Sequence, residues 1–149
     1  MKNQNVTLRK ATISDGKMLH MGRNDEETRR QSVNMDEVPW DSHIAWLTKS
    51  LTNPNRTLLI AESLGIPVGT VRCDLDHEKV PPAELSWTVA PESRGQGFGT
   101  AMILKAVEYF GGPLRIIVKP SNQASLKLAE KAGFRKIAKT PEMTTWVRD

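Results

Sequence analysis

The chain has 149 residues, of which 38% are hydrophobic, and a formal net charge of +4 at pH 7. This length suits one domain with a sizeable core, so we assign residues 1–149 to a single domain. The one cysteine excludes an internal disulfide framework and fits a reducing compartment. No apolar run approaches the roughly 18 residues of a membrane span. The polar start Met1–Gln4 lacks the apolar core of a signal peptide, so we expect a cytoplasmic protein without a membrane partner.

The basic residues are scattered along the chain, and aromatic residues make up only 5% of it. This pattern disfavours nucleic-acid binding, which needs a basic patch or stripe. A modest excess of positive charge suits a small anionic ligand instead. We predict no metal site, and we expect a monomer or a homodimer.

Hydrophobic periodicity and turn signals predict eleven elements in the order β-α-α-β-β-β-α-β-α-β-β. The fold class is therefore α/β (α+β), with one mixed, mostly antiparallel sheet and helices on both faces. Polar residues 24–40 are expected to form a loop with a short helix, and residues 65–67 a turn. The predicted strands are Val6–Lys10, Arg56–Glu62, Val68–Asp74, Glu84–Val89, Leu114–Val118, Arg135–Lys139 and Met143–Arg148. The predicted helices begin near Thr12 or Ser14, at Asp41 or Ser42, at Ala101, and at Ser121 or Asn122.

Residues 94–100 form the most informative stretch, which we call the glycine loop; it lies between a predicted strand and a predicted helix. Three glycines in five residues allow backbone N–H groups to approach a ligand, and the helix adds its positive dipole end. Arg94 adds a fixed charge suited to phosphate. The spacing excludes a Walker loop, which needs Gly-Lys, and the dinucleotide fingerprint, because Thr100 occupies its last glycine position. A tight turn without ligand is the alternative.

A second segment follows one strand later. Pro120 ends the strand-like run Ile116–Val118, Ser121 or Asn122 can cap the next helix, and Gly133 stands where a C′ residue is expected. A generic amphipathic helix would explain this segment by itself. It does not explain the segment together with the glycine loop.

The pair of segments resembles the GCN5-related N-acetyltransferases. Arg-Gly-Gln-Gly-Phe-Gly matches their [RQ]xxGx[GA] pyrophosphate loop, and residues 122–134 match their Asn-x-x-[AS]-x-x-[LV]-x-x-[KS]-x-GF segment. The resemblance implies a transferase that uses acetyl-CoA as co-substrate. The residues it implies for coenzyme binding are Trp87, Val89, Arg94, Gly95, Gln96, Gly97, Phe98, Gly99, Thr100, Asn122 and Ser125.

Two residues are candidates for the chemistry. Glu84 lies on the strand that relatives use for a base, and a base or water relay must take the proton of the amine. A solvated edge carboxylate is the alternative reading of Glu84. Many relatives protonate the leaving thiolate with a tyrosine, but that position is Ala129 here. Ser125 is the substitute, acting as a hydrogen-bond donor.

The N-terminal half suggests the acceptor. Residues 23–29 and 43–47 resemble the Arg-Asn-Asp-x-x-x-Arg and His-x-x-Trp-Leu pattern of the branch that acetylates nucleotide-linked 4-amino-sugars, of the pseudaminic-acid and spore-coat type. A tryptophan usually precedes the first Arg of that pattern, and Gly22 replaces it here. The resemblance implies four acceptor-binding residues: Arg23, Asn24, Arg29 and His43.

Other readings stay open. The residues of this segment also fit a solvated charged loop, and His43 can serve as a base near neutral pH. The acceptor amine could instead belong to a protein N-terminus, a polyamine or an aminoglycoside. The absent tyrosine leaves room for a non-catalytic sensor of acyl-CoA.

Overall fold

A computed structural model describes residues 5–32 and 34–149. The prediction for Met1–Gln4 lies outside the described residues. These residues form seven strands and five α-helices, with short 3₁₀ turns at Ile13–Asp15 and Pro91–Ser93. The strands are β1 Thr7–Lys10, β2 Arg56–Ser63, β3 Ile66–Leu75, β4 Ala83–Val89, β5 Leu114–Val118, β6 Arg135–Lys139 and β7 Thr144–Arg148. The helices are α1 Gly16–Asn24, α2 Glu26–Arg30, α3 Trp40–Thr52, α4 Phe98–Phe110 and α5 Gln123–Lys131.

All seven strands form one sheet in the order β1-β2-β3-β4-β5-β7-β6. The β4–β5 pair is parallel, and the other neighbouring pairs are antiparallel. The predicted fold class, a mixed and mostly antiparallel sheet, is confirmed.

Alternation along β2 explains why helices cover both faces. Leu59 and Ala61 face one way and join the core beneath α4 and α5, where Met102, Ile103 and Ala129 are fully buried. Leu58 and Ile60 face the other way and pack with Leu19 of α1 and Leu47 of α3. Successive side chains of a strand point to opposite faces, so one apolar run supplies two cores.

Several predicted boundaries differ from the structure. Helix α4 begins at Phe98 and not at Ala101. The β2–β3 turn is Leu64–Gly65, with φ values of 53° and 79°, and not residues 65–67. Two consecutive positive φ values fit a two-residue hairpin, whose twist matches the strands, and Pro67 is left within β3. Helix α3 begins at Trp40, before Asp41 and Ser42. Pro39 is the N-cap residue of α3, and its backbone carbonyl accepts the N–H of His43 at 2.9 Å.

The sheet opens between its two central strands. The only β4–β5 partners in the described part of the chain are Glu84 and Arg115. Beyond them the two strands separate toward the glycine loop. The opening creates a cleft that runs through the sheet from the α4–α5 side to the α1–α3 side.

Candidate active site

The opening between β4 and β5 forms a cleft of about 1040 Å³. One wall is β4 from Glu84 to Val89, continued by the glycine loop, and the other is the end of β5 with α5. Residues of α1, α2 and α3 close the far side. A volume of this size is at the upper end of the range for small-molecule sites.

The glycine loop lies at the mouth of the cleft. Gly95 and Gly97 have φ values of 74° and 84°, a region that residues with a Cβ atom rarely adopt. Gly97 is the residue before α4, whose first turn has N–H groups without acceptors inside the helix. The buried Phe98 ring anchors this turn in the core. The loop therefore has the geometry of an anion cradle.

The third glycine has a different role from the other two. A Cβ atom on Gly99 would lie 3.1 Å from the Leu128 side chain and 3.5 Å from that of Val89. Gly99 therefore lets α4 pack closely against α5 and β4, and Thr100 follows it along the cleft wall.

The two long side chains of the glycine loop point in different directions. Arg94 lines the cleft, and its Nη2 contacts the Asp25 carboxylate at 2.6 Å and the Thr28 hydroxyl at 3.0 Å. The Gln96 amide donates to the Glu92 carbonyl at 3.2 Å. Gln96 is not among the described residues that line the cleft.

Helix α5 supplies the wall opposite the loop. Asn122 caps it, because the Asn122 Oδ1 accepts the N–H of Ser125 at 3.2 Å. Asn122 and Ser125 both line the cleft. Ala129 is fully buried in the core under α4, so the position where relatives carry a tyrosine offers no hydroxyl here.

Glu84 lies at the floor of the cleft and is not a free carboxylate. Its Oε1 accepts a hydrogen bond from Arg115 at 2.8 Å. The Arg115 side chain is only 7% exposed and also donates to the Pro81 carbonyl at 3.2 Å. Sequence reasoning missed Arg115, which stands within the apolar run of β5. Only the pairing register of β4 and β5 brings the two charges together.

A second group of charges lies beside this pair on the same face of the sheet. Asp74 of β3 contacts Arg56 at 2.6 Å and Arg72 at 3.0 Å. Arg72 lines the cleft. Arg72 pairs across the strands with Ser86, which lies two residues from Glu84 on the same face of β4. Arg72 is therefore a diagonal neighbour of Glu84 on this face of the sheet. Sequence reasoning also missed that Arg72 lines the cleft, because the alternation of β3 predicts only that the Arg72 side chain faces away from the α4 core.

Two of the four predicted acceptor residues reach the cleft. Arg23 donates through Nη2 to the Asn34 carbonyl at 2.8 Å, while its Nη1 is buried without a hydrogen-bond partner among the described residues. Burial lowers the pKa of Arg23, and the nearby charges of Arg29 and Arg72 lower it further. An unsatisfied buried donor of this kind is costly unless a ligand accepts from it.

His43 is the second residue that reaches the cleft. It is 3% exposed and packs beside His20, with ring centroids 5.1 Å apart, and beside Trp46 at 5.5 Å. Burial lowers the pKa of His43, and the charges of His20 and Arg23 act in the same direction, so the ring is neutral at pH 7. A hydrogen bond to the Gly16 backbone opposes this shift, and Nε2 has no partner among the described residues.

The structure does not bring Asn24 and Arg29 to the cleft within the described part of the chain. The Asn24 amide bonds both backbone groups of Val38, at 2.7 and 2.8 Å. Arg29 donates to the Asn24 carbonyl at 3.2 Å and lies 3.9 Å from Glu37. Both side chains hold the segment between α2 and α3 in place, which the amino-acid pattern could not distinguish from ligand binding.

Across residues 5–32 and 34–149, no helix combines the length and apolar character that crossing a membrane requires. Within the same ranges, the structure contains no group of three or more His, Cys, Asp or Glu side chains that could hold a metal ion.

Comparison with known proteins identifies the family. A family model described as an acetyltransferase (GNAT) domain matches residues 5–135. The chain therefore belongs to the GNAT acetyltransferase family. The uncharacterized N-acetyltransferase MJ1207 of Methanocaldococcus jannaschii is 34% identical over 101 residues, which are 62% of this chain and 43% of that relative. The chain thus matches less than half the length of this curated relative.

Solved structures support the same fold. A Vibrio cholerae spermidine N-acetyltransferase in complex with CoA and spermine superposes with a TM-score of 0.85 and 18% identity, covering 96% of this chain and 94% of that one. The aminoglycoside acetyltransferase AAC(6')-Ib in complex with coenzyme A and kanamycin gives a TM-score of 0.81 and 21% identity, covering 97% and 94%.

Proposed function

We propose that this protein is an N-acetyltransferase that uses acetyl-CoA to acetylate a primary amine, with a nucleotide-activated amino-sugar as its acceptor. The observation that carries the reaction class is the glycine loop at the mouth of the β4–β5 cleft, in a chain of the GNAT family. The loop fits a pyrophosphate, because positive φ at Gly95 and Gly97 exposes backbone N–H groups beside the start of α4.

The open edge of β4 suits the amide-bearing arm of the coenzyme. Trp87 and Val89 line the cleft beyond the Glu84–Arg115 pair, where β4 has no strand partner on the β5 side within the described residues. An extended arm can add there as a further strand and bond the free backbone groups. This arrangement aims the thioester at the floor of the cleft, near Glu84.

Glu84 is our proposed proton acceptor for the amine. Arg115 holds Oε1 and fixes the orientation of the carboxylate, which leaves Oε2 for the amine or for a bridging water. The amine nitrogen then forms the amide bond while the carbon–sulfur bond breaks, and the proton of the nitrogen passes to Glu84. The neutral His43 ring on the acceptor side is the alternative base.

Ser125 is our proposed partner for the departing sulfur. It lines the cleft from the first turn of α5, and its hydroxyl can donate a hydrogen bond to the thiolate as negative charge develops. A hydroxyl of ordinary acidity stabilises the thiolate without protonating it fully, so water supplies the final proton.

The acceptor end of the cleft supports an anionic substrate over a polyamine. Nη1 of Arg23 is a buried donor without an acceptor among the described residues, and Arg72 stands nearby on β3. A phosphate of a nucleotide-sugar would satisfy this donor through a charge-assisted hydrogen bond. A polyamine would bring positive charge toward two guanidinium groups. Spermine and kanamycin are bound by proteins whose likeness to this chain is limited to the fold.

We further infer that the enzyme works in the cytoplasm as a monomer or homodimer. The one cysteine, Cys73, is buried, and burial raises its pKa to about 11, which keeps the thiol inert.

Release of free thiol from acetyl-CoA tests the proposal. The acceptors would be nucleotide-linked amino-sugars, spermidine, an aminoglycoside and a peptide with a free N-terminus. We expect the fastest turnover with a nucleotide amino-sugar and competition by the nucleotide alone. Faster turnover of any other amine class would overturn the acceptor assignment. Saturable coenzyme binding without thiol release from any amine would favour a sensor.

A further inference from the structure

Helix α2 lies across the cleft and is tied to both of its walls. On the β4 side, Arg94 of the glycine loop contacts Asp25 and Thr28 at the start of this helix. On the β5 side, the Lys119 ammonium donates to the Arg30 carbonyl at 2.6 Å. These contacts join residues more than 60 positions apart in the chain, so they fix α2 relative to the opening of the sheet.

Asp25 is the centre of this arrangement. It caps α2 by accepting the N–H of Thr28 at 3.1 Å, and the same oxygen, Oδ2, receives the Arg94 contact. Its side chain is only 21% exposed. Burial by itself would raise the pKa of Asp25, but the hydrogen bonds from Arg94 and Thr28 outweigh it and lower the pKa below its ordinary value.

The geometry leaves part of the Arg94 guanidinium available. A guanidinium carries five N–H groups, and Nη2 uses both of its own for Asp25 and Thr28. The remaining three, on Nη1 and Nε, have no described partner, and Arg94 lines the cleft beside Gly95 and Gly97. One planar group can therefore bridge a carboxylate on one edge and an anion on the other.

We propose that Asp25 is a positioning residue for the coenzyme, which holds Arg94 so that its free edge meets the pyrophosphate at the glycine loop. This inference rests on the proposed function, because it requires coenzyme at that loop. Without the Asp25 carboxylate, the Arg94 side chain would lose its charged partner and keep the weaker contact with the Thr28 hydroxyl. Its side chain would then be less ordered, and ordering it would oppose coenzyme binding.

A second consequence concerns the acceptor. Thr28, Gln31 and Ser32 belong to the segment that Asp25 begins, and all three line the cleft. Coenzyme that fixes Arg94 therefore also fixes this wall of the acceptor site. We expect bound coenzyme to tighten acceptor binding, and the acceptor to tighten coenzyme binding by the same factor.

The test compares Asp25→Asn with the unaltered protein. Asparagine is as good a helix cap as aspartate, so this change keeps the cap and removes the charge. Asp36→Asn is the matched control, because it removes one exposed negative charge from the neighbouring loop outside the cleft. Calorimetry would measure the dissociation constant for coenzyme A. Initial rates would compare acetyl-CoA with acetyl-pantetheine, which lacks the pyrophosphate.

We expect Asp25→Asn to weaken coenzyme A binding by about 5- to 20-fold, which corresponds to part of one charge-assisted contact. Its kcat/KM should fall similarly for acetyl-CoA and stay unchanged for acetyl-pantetheine, and Asp36→Asn should alter neither. In the Arg94→Ala background, Asp25→Asn should have no further effect on coenzyme affinity.

Unchanged or tighter coenzyme binding by Asp25→Asn would overturn the inference, and tighter binding would mean that Asp25 competes with the pyrophosphate. An equal loss of kcat/KM with acetyl-CoA and with acetyl-pantetheine would also overturn it, since that pattern indicates a general structural defect. Either result leaves the proposed function intact if the unaltered protein binds coenzyme A. Failure of the unaltered protein to bind coenzyme A would overturn both.

Discussion

The two halves of the cleft differ in whether backbone groups or side chains form them. The proposed coenzyme half, residues 83–131, relies on the backbone: positive φ at two glycines, the first turn of α4 and the open edge of β4. The proposed acceptor half, residues 16–52, relies on side chains whose partners lie far away in the sequence, such as the contact of Asp25 with Arg94. Backbone geometry suits a donor with a fixed structure, whereas side chains can be exchanged to change the acceptor.

The largest expected effect concerns Glu84, which lies at the floor of the cleft where the two halves meet. Glu84→Gln should lower kcat by about 10²- to 10⁴-fold, because the amine loses its proton acceptor. Coenzyme affinity should stay within a factor of about two, since the change spares the glycine loop. Activity should partly return at high pH, where more of the amine is neutral. If Glu84→Gln keeps its turnover while His43→Gln loses it, the base belongs to the acceptor half.

The next effect concerns the acceptor half alone. Arg23→Ala should raise the KM for a nucleotide amino-sugar by about 10- to 100-fold, the loss of one charge-assisted contact of about 1.5–3 kcal/mol. The KM for acetyl-CoA should not change. Arg29→Ala is the control, because Arg29 bonds within its own segment. An equal rise of this KM in both variants would mean that the segment containing Arg23 and Arg29 recognises the acceptor as a whole, and not through the Arg23 donor.

The coenzyme half can be tested with two matched glycines. Gly95 and Gly65 have φ values of 74° and 79°, and a Cβ atom at either would meet no neighbour within 4 Å. Alanine at either position should cost roughly 1 kcal/mol of stability through backbone strain. Only Gly95→Ala should also weaken coenzyme A binding, by about tenfold, as calorimetry would measure. Equal affinity of the two variants would argue against a backbone cradle.

The smallest effect is a pH dependence of folding. Burial lowers the pKa of His43, so the unfolded chain takes up a proton near pH 6.5 while the folded chain resists it. Its contribution to stability is therefore complete above pH 6.5 and is lost as the pH falls toward the folded pKa, by at most about 1.4 kcal/mol per pH unit. His43→Gln should reduce this slope in urea unfolding as the pH falls below 6.5. An unaltered slope would contradict a buried neutral ring.

The same contrast explains what could be predicted from the sequence. The glycine loop, a helix cap at Ser121 or Asn122 and the order of strands and helices along the chain follow from local patterns, because turns, caps and periodicity are properties of neighbouring residues. Arg115 could not be assigned to Glu84, since their pairing depends on the register of β4 and β5. Asn24 and Arg29 resembled ligand-binding residues but support a loop, because a polar side chain alone does not show whether its partner is protein or substrate.

The most direct test of a backbone-built coenzyme site is a titration of coenzyme A followed by the backbone amide resonances of the labelled protein. Saturable binding should move the amides of residues 94–100 most, with smaller shifts at Trp87, Val89 and Asn122. The β2–β3 hairpin at Gly65, which is not among the described residues that line the cleft, should stay unchanged. The result that would contradict the account is the absence of saturable shifts, or shifts concentrated away from the glycine loop.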